Sequence, residues 1–310
     1  MNQKSLLSSQ IRKTCTDAGF IKCGFSKAEN LIRESAYLKE WLDENRNAGM
    51  KWMNNNFEKR TCPELILENV KSVISLALLY DTPFSHSDDP GTAKISRYAW
   101  GKKDYHKIIK NKLKHLCKEI ESLSPGIKTR FYVDDGPVME KAWAARSGIG
   151  WHGKNTNVIN KDYGSFFFLS EIFIDAELDY DKPAEDLCGS CRLCIDTCPT
   201  GALFEEYRLD AGLCISYHTI ENRDEIPENI KLNGWIFGCD ICQDVCPFNG
   251  KKVFTEDSIF SPRENIFNRT FDELLVLSED EFNNTFEGTP VRRTKYSGWT
   301  RNLKKAREEQ

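Results

Sequence analysis

The chain has 310 residues, 40% of them apolar and 29% charged, with 12 cysteines and a formal net charge of −4. These figures exclude disorder, collagen-like repeats and a wholesale nucleic-acid coat, and the length predicts two domains with large cores. No apolar run reaches the roughly 18–20 residues of a membrane helix. The N-terminal MNQKSLLSSQIRK lacks the apolar core of a secretory signal, so the expected compartment is the cytoplasm, with no membrane partner. Disulfides are rare there, and twelve thiols point instead to metal.

Leu38, Trp41 and Leu42 repeat at helical spacing and are bounded by Gly49. VISLALLY (73–80) has the branched apolar run of a buried strand, and DTPFSHSDDPG (81–91) the composition of a loop. Tyr105, Ile108, Ile109, Leu113, Leu116 and Ile120 mark one face of an amphipathic helix whose other face is rich in lysine. FYVD (131–134) predicts a strand, Val138 to Ser147 a helix, and SFFFLSEIFID (165–175) a strand apolar on both faces and therefore central. This part reads as a mixed α/β domain. A boundary is expected just after DKPAED (181–186), because Cys15, Cys23, Cys62 and Cys117 are scattered while the other eight cysteines fall between Cys188 and Cys246.

CGSCRLCIDTCP sets Cys188, Cys191, Cys194 and Cys198 at C-x2-C-x2-C-x3-C-P spacing. This is the bacterial ferredoxin pattern, whose fourth cysteine ligates the other cluster. Cys214 follows, and then CDICQDVCP with Cys239, Cys242 and Cys246. The cross-over rule assigns one 4Fe–4S cluster to Cys188, Cys191, Cys194 and Cys246, and the other to Cys214, Cys239, Cys242 and Cys198. Zinc also uses C-x2-C pairs, but both runs here end in Cys-Pro after a three-residue gap, which favours two clusters. The four scattered cysteines read as small buried hydrophobes. Two adjacent clusters suit a one-electron relay.

GIGWHGK (148–154) matches both G-x-G-x-x-G and G-x-x-x-x-G-K, yet a helix precedes it and Asn155 stands where a phosphate loop needs Ser or Thr. A nucleotide site is disfavoured; a glycine turn lying close to a large ligand, with Lys154 reaching that ligand, stays open. Asp134 and Asp135 end a strand before a Gly-Pro turn, a place suited to chemistry and equally to capping the next helix. His106 and His152 are further acid–base candidates. VRRTKYSGWTRNLKKAR (291–307) has seven Lys or Arg and no acid, with Tyr296 and Trp299 interleaved. It suits a nucleic-acid backbone with aromatics for stacking, or a solvated basic helix end.

Taken together, SRYAWGKKDYHK (96–107), FYVDDGPVMEKAWAARSGIGWHGKNTN (131–157), YGSFFFLSEI (163–172), CGSCRLCIDTCPTGAL (188–203), CISYHTIE (214–221), FGCDICQDVCPFN (237–249) and VRRTKYSGWTRN (291–302) resemble one family, the epoxyqueuosine reductases of tRNA modification. The resemblance runs in order from about residue 10 to 302. It implies an α/β (α+β) protein with a cobalamin-binding catalytic domain at 1–186, a ferredoxin-like domain with two 4Fe–4S clusters at 187–255, and a C-terminal segment, 256–310, whose basic end contacts tRNA.

The implied enzyme reduces the epoxide of epoxyqueuosine, at the wobble position in the tRNA anticodon stem-loop, to the alkene of queuosine. Electrons from an external donor pass through the clusters to cobalamin. The family holds cobalamin without a D-x-H-x-x-G histidine, and that motif is absent from this chain. The first Asp of the family's VD-x-x-P motif, Asp134, is the implied proton donor and a cofactor neighbour; a carboxyl beside an apolar corrin face keeps its proton through desolvation. Arg97, Tyr105, His106, Lys154, Asn155 and Ser216 are implied cobalamin or substrate contacts. Arg292, Arg293, Lys295, Arg301 and Lys304 are implied tRNA contacts, on a monomer. Many family members continue into a helical repeat domain that helps hold tRNA, whereas this sequence stops at Gln310. The rivals are a reductive dehalogenase, whose twin-arginine signal is missing, and a non-catalytic ferredoxin-type electron carrier.

Overall fold

A computed structural model describes residues 2–250 and 253–310. The chain forms two compact units that interleave in sequence. One comprises Met1–Asn45, Lys51–Leu79 and His106–Cys191; the other comprises Arg46–Met50, Tyr80–Tyr105 and Arg192–Gln310. A boundary at 186/187 does not anticipate that 80–105 folds with the C-terminal residues.

The first unit is built on an antiparallel sheet in the order β1 (Lys22–Lys27), β2 (Ser72–Leu79), β4 (Phe167–Ile174), β3 (Thr129–Tyr132). The inner strands β2 and β4 are buried along nearly their whole length, which is why their sequences are continuously apolar rather than alternating. Gly24, Ser75, Glu171 and Tyr132 lie in register across the four strands, and in-register residues share a face. Helix α4 (Glu140–Arg146) covers that face: Trp143 packs with Val73 and Phe173, and Ala144 with Ala77 and Phe167. A Cβ on Gly24 would lie 2.1 Å from the Ser147 carbonyl oxygen, so glycine is what lets the end of α4 approach β1.

The opposite face carries α1 (Gln3–Asp17), whose Ile11 and Cys15 are fully buried. Its Arg12 lies 4.2 Å from the Phe25 ring centre and binds Asp181 at 2.6 Å. Beyond it is α3 (Tyr105–Leu123), after α2 (Ile32–Asp43) in chain order, with the expected stripe Ile109, Leu113, Leu116 and Ile120 buried. Lys112 of α3 donates to the Ala18 carbonyl at the end of α1. The strand expected at 131–134 ends at Tyr132, which leaves 133–139 as a connection between β3 and α4.

In the second unit, α5 (Ile215–Ile220), β5 (Trp235–Phe237) and α6 (Lys295–Glu308) surround one apolar core. Trp299 of α6 lies 4.7 Å from Phe286 and 5.6 Å from Phe282, ring centre to ring centre. The fully buried Asn302 donates to the carbonyls of Thr219 and Ile236, fastening α6 to both neighbours. Among the described residues, no helix is long and apolar enough to cross a membrane.

Candidate iron–sulfur loops and acid site

The two cysteine strings fold alike. Each holds one helical turn, Leu193–Asp196 in the first and Ile241–Asp244 in the second. Their backbone bonds repeat: Asp196 N–H to Arg192 O matches Asp244 N–H to Asp240 O, and Cys198 N–H to Ile195 O matches Cys246 N–H to Gln243 O. Past the prolines, Gly201 and Asn249 donate back to the carbonyls of Cys198 and Cys246. A single turn brings cysteines three apart to one side, and the proline stops the turn from continuing.

All eight cysteines are free thiols. Burial pushes the Cys239 and Cys242 thiols well up; Cys239 feels the charge of Cys242 and Cys214, and Cys242 that of Cys214, Cys198 and Cys194. Cys242 thus senses Cys214 and Cys198 of its expected set and also Cys194 of the other. Among the described residues no three metal-binding side chains converge as a single ion would need; a cubane takes one thiolate at each iron corner. Of the other set, Cys188 and Cys191 lie in the first unit, and Cys194 and Cys246 in the second.

The glycine-rich stretch serves one of these loops. Trp151–His152 pairs with Val158–Ile159 in a small hairpin, and a Cβ on Gly150 would strike the Ile159 carbonyl at 2.3 Å. The close approach is to the chain itself. From this hairpin the Trp151 indole donates to Cys188 Sγ at 3.3 Å, and Lys154, 3% exposed, donates through Nζ to the Gly189 carbonyl at 2.6 Å. The equally buried Asn155 accepts from Asn157 N–H through Oδ1. In this arrangement Lys154 and Asn155 support the cysteine loop and its hairpin.

Arg97 is likewise engaged. Its guanidinium meets Asp240 at 3.1 Å, Asp244 at 2.5 Å and Asp81 at 3.9 Å. The fully buried Asp240, between Cys239 and Cys242, also accepts from Ser96 Oγ and Arg97 N–H. Burial lifts Asp81 to about 6 although Arg97 opposes the shift. Tyr105 is buried at the start of α3, edge-on to Tyr98, and Ser216 lies half-buried in α5.

Asp134 occupies the β3–α4 connection with a φ of 49°, a left-handed conformation uncommon outside glycine and one that Asp tolerates. Its carboxylate is 66% exposed and lies 3.7 Å from His106 Nε2. Asp135 pairs with Lys110. Helix α4 begins after Met139 with no side-chain cap, so neither aspartate takes the capping role. His152 is exposed.

Two carboxyls near Asp134 were not singled out by sequence reasoning. Glu140 is the first residue of α4; burial, and then the charge of Asp134, raise it to about 8 while Arg60 opposes the shift. Glu171 is fully buried, neither carboxyl oxygen has a hydrogen-bond partner, and burial with Glu140 and Asp134 pushes it well up. The signal for Glu171 was present as one acid inside an otherwise apolar central strand.

The basic end departs from expectation. Trp299 is fully buried and so is not available for stacking on bases, while the half-buried Tyr296 donates its hydroxyl to the Leu277 carbonyl. Arg301 is engaged within the chain: its guanidinium donates to the carbonyls of His218, Asn222 and Asp224 and to Asn302, which ties α6 down. Arg292, Lys295 and Lys304 are exposed, and Arg293 pairs with Glu221 at 2.5 Å.

Paired ferredoxin-type loops, together with an α/β unit presenting an acid on a strained turn, define an iron–sulfur oxidoreductase. Residues 187–249 match the 4Fe-4S double cluster binding domain, and residues 60–135 match the family described as epoxyqueuosine reductase QueG, DUF1730. An epoxyqueuosine reductase of Cellulophaga algicola is 43% identical over 305 residues, 98% of this chain and 99% of that one. The chain belongs to the epoxyqueuosine reductases. Its fold matches a crystal structure of epoxyqueuosine reductase with an epoxyqueuosine-modified tRNA-Tyr stem loop, at 30% identity and a TM-score of 0.88 over 97% of this chain and 80% of that one. It also matches the Bacillus subtilis enzyme with its catalytic loop swung out of the active site, at 30% identity and a TM-score of 0.89 over 97% and 81%.

Proposed function

We propose that the chain reduces the epoxide of epoxyqueuosine in tRNA to the alkene of queuosine, with Asp134 as proton donor and cobalamin and two 4Fe–4S clusters as cofactors. The observation that carries this reading is the Asp134 turn: a left-handed, exposed carboxylate 3.7 Å from His106, on the connection leaving the end of β3. A relative of the same fold has been crystallised with the modified tRNA stem loop, which supports tRNA as substrate.

Removing the epoxide oxygen consumes two electrons and two protons and yields the alkene and water. Cys188, Cys191, Cys194 and Cys246 would hold one 4Fe–4S cluster and Cys214, Cys239, Cys242 and Cys198 the other, and these would supply one-electron relay chemistry for electrons from an external donor. Cobalamin, when bound, would supply the low-potential cobalt chemistry that the reduction needs. His86 and His218 have their Nε2 atoms on the carbonyls of Ile95 and Gly212, so those two rings are engaged within the chain.

Asp134 gives a proton to the departing oxygen, which is a poor leaving group as an alkoxide. His106 holds the carboxylate from one side. Tyr105 and Ser216 remain the contacts proposed for the cofactor or substrate. Arg292, Lys295 and Lys304 offer exposed cations to the tRNA backbone, with Arg293 beside Glu221.

The test is Asp134→Asn in the reconstituted enzyme. Cobalamin and both clusters should be retained, as read by absorption and iron analysis, while turnover on epoxyqueuosine-containing tRNA is lost. Turnover equal to wild type removes Asp134 from the donor role.

A further inference from the structure

Residues 107–118 of α3 hold five lysines and no acid, in a chain whose net charge is −4. The two acids of α3, Glu119 and Glu121, come only near its end, and Glu121 is taken by Thr129. A helix built for its own stability places acids in its first turn and opposite charges four residues apart. Helix α3 has no acid in its first turn. Two of its lysines work inside the fold: Lys110 pairs with Asp135, and Lys112 donates to the Ala18 carbonyl. The other three, Lys107, Lys114 and Lys118, are exposed, and among the described residues none of them meets a carboxylate. At about 3.6 residues per turn they fall within about 40° around the helix axis and about 16 Å along it, so they form one ridge.

We propose that the ridge of Lys107, Lys114 and Lys118 is a binding surface for the phosphate backbone of the substrate RNA, separate from the basic C-terminal end. The proposal rests on the reading of tRNA as substrate and Asp134 as donor. The ridge begins beside that site, because His106 and Lys110, on either side of Lys107, reach Asp134 and Asp135. A modified base brought to Asp134 carries a polyanion with it, and the backbone next to that base passes over what surrounds the turn. Lysines in a row, without carboxylate partners, attract that backbone, and each phosphate they neutralise releases condensed counterions. A length of about 16 Å spans several phosphates of one strand. Lysine acts there as a point charge with no preference between bases. The ridge therefore contributes affinity and orientation, and the choice of base is left to the site at its end.

The experiment uses the reconstituted holoenzyme and a fluorescein-labelled anticodon stem-loop carrying epoxyqueuosine. Anisotropy across a salt series compares wild type with the triple variant Lys107→Gln, Lys114→Gln, Lys118→Gln. A control, Lys13→Gln, Lys39→Gln, Lys59→Gln, removes the same charge from exposed lysines elsewhere. The ridge variant should flatten the slope of log affinity against log salt by about two units, at roughly 0.7–0.9 per lysine, and weaken binding about tenfold or more. The control should keep the wild-type slope. In wild type, the stem-loop should protect Lys107, Lys114 and Lys118 from acetylation by an amine-reactive ester, read by mass spectrometry, and leave Lys13, Lys39 and Lys59 open. If the triple variant loses its far-ultraviolet circular dichroism, the three single variants and the wild-type protection pattern decide. An unchanged slope in the ridge variants, or an equal loss in the control, overturns the inference. Equal protection by polyglutamate also overturns it and gives the ridge to an acidic protein. Wild type that fails to bind the stem-loop overturns the tRNA reading itself, whereas turnover surviving in Asp134→Asn overturns only the donor reading.

Discussion

The indole N–H of Trp151 points at Cys188 Sγ from 3.3 Å, so a residue of the glycine-rich hairpin is bonded to the first thiol of the ferredoxin-type run. A hydrogen bond to a cluster thiolate favours the more negative, reduced cluster and raises its potential. Trp151→Phe should therefore lower the potential of one cluster. A net hydrogen bond of about 1 kcal/mol corresponds to roughly 40 mV for one electron. A redox titration followed by electron paramagnetic resonance reads the shift; two unshifted potentials would show that the bond has no electronic role.

Arg97 joins three carboxylates, one of them the fully buried Asp240 between two cysteines. Removing the cation leaves buried acids unpaired, at a cost of about 3–5 kcal/mol. Arg97→Ala should loosen the Cys239–Cys242 turn, and the iron content should drop from about eight to about four per chain as one cubane is lost. Full iron occupancy with an unchanged spectrum would mean that the turn holds without Arg97.

Glu171 bears on stability through pH. Its folded-state pKa lies well above the ordinary value of 4.5 because burial disfavours the charge, so the folded chain keeps a proton that the unfolded chain releases. Stability from this residue is fully present below about pH 4.5 and is lost progressively as pH rises towards the folded pKa. Glutamine does not titrate. The melting temperature of Glu171→Gln relative to wild type should consequently rise between pH 5.5 and pH 8, as read by calorimetry. A pH-independent difference would contradict the burial of a protonated acid.

The basic end divides into cations of two kinds. Arg292→Glu and Lys304→Glu should weaken tRNA binding and each flatten its salt dependence by about one unit of slope, since both side chains are exposed. Arg301→Ala should leave that slope unchanged and lower stability by about 2–3 kcal/mol, because its guanidinium holds the carbonyls of three residues. Fluorescence anisotropy across a salt series separates the two. An equal loss of slope in all three variants would return Arg301 to the tRNA surface.

Much of this was legible in the sequence where one periodicity or one spacing dominates. The 3.6-residue stripe of α3, the continuous apolar runs of β2 and β4, and the Cys-x2-Cys-x3-Cys-Pro strings each depend on local chemistry, and each appears where expected. The less legible features depend on long-range partners. Trp299 reads as a surface aromatic among lysines until Phe282 and Phe286 cover it. Arg301 reads as a tRNA contact until the carbonyls ending α5 meet it.

The most direct test is nucleoside analysis by mass spectrometry of epoxyqueuosine-containing tRNA incubated with the reconstituted protein, a low-potential reductant and cobalamin. Queuosine should form in the complete reaction and should be absent when either cobalamin or the clusters are left out. Epoxyqueuosine persisting in the complete reaction, or queuosine forming equally well without cobalamin, would contradict the proposed reduction.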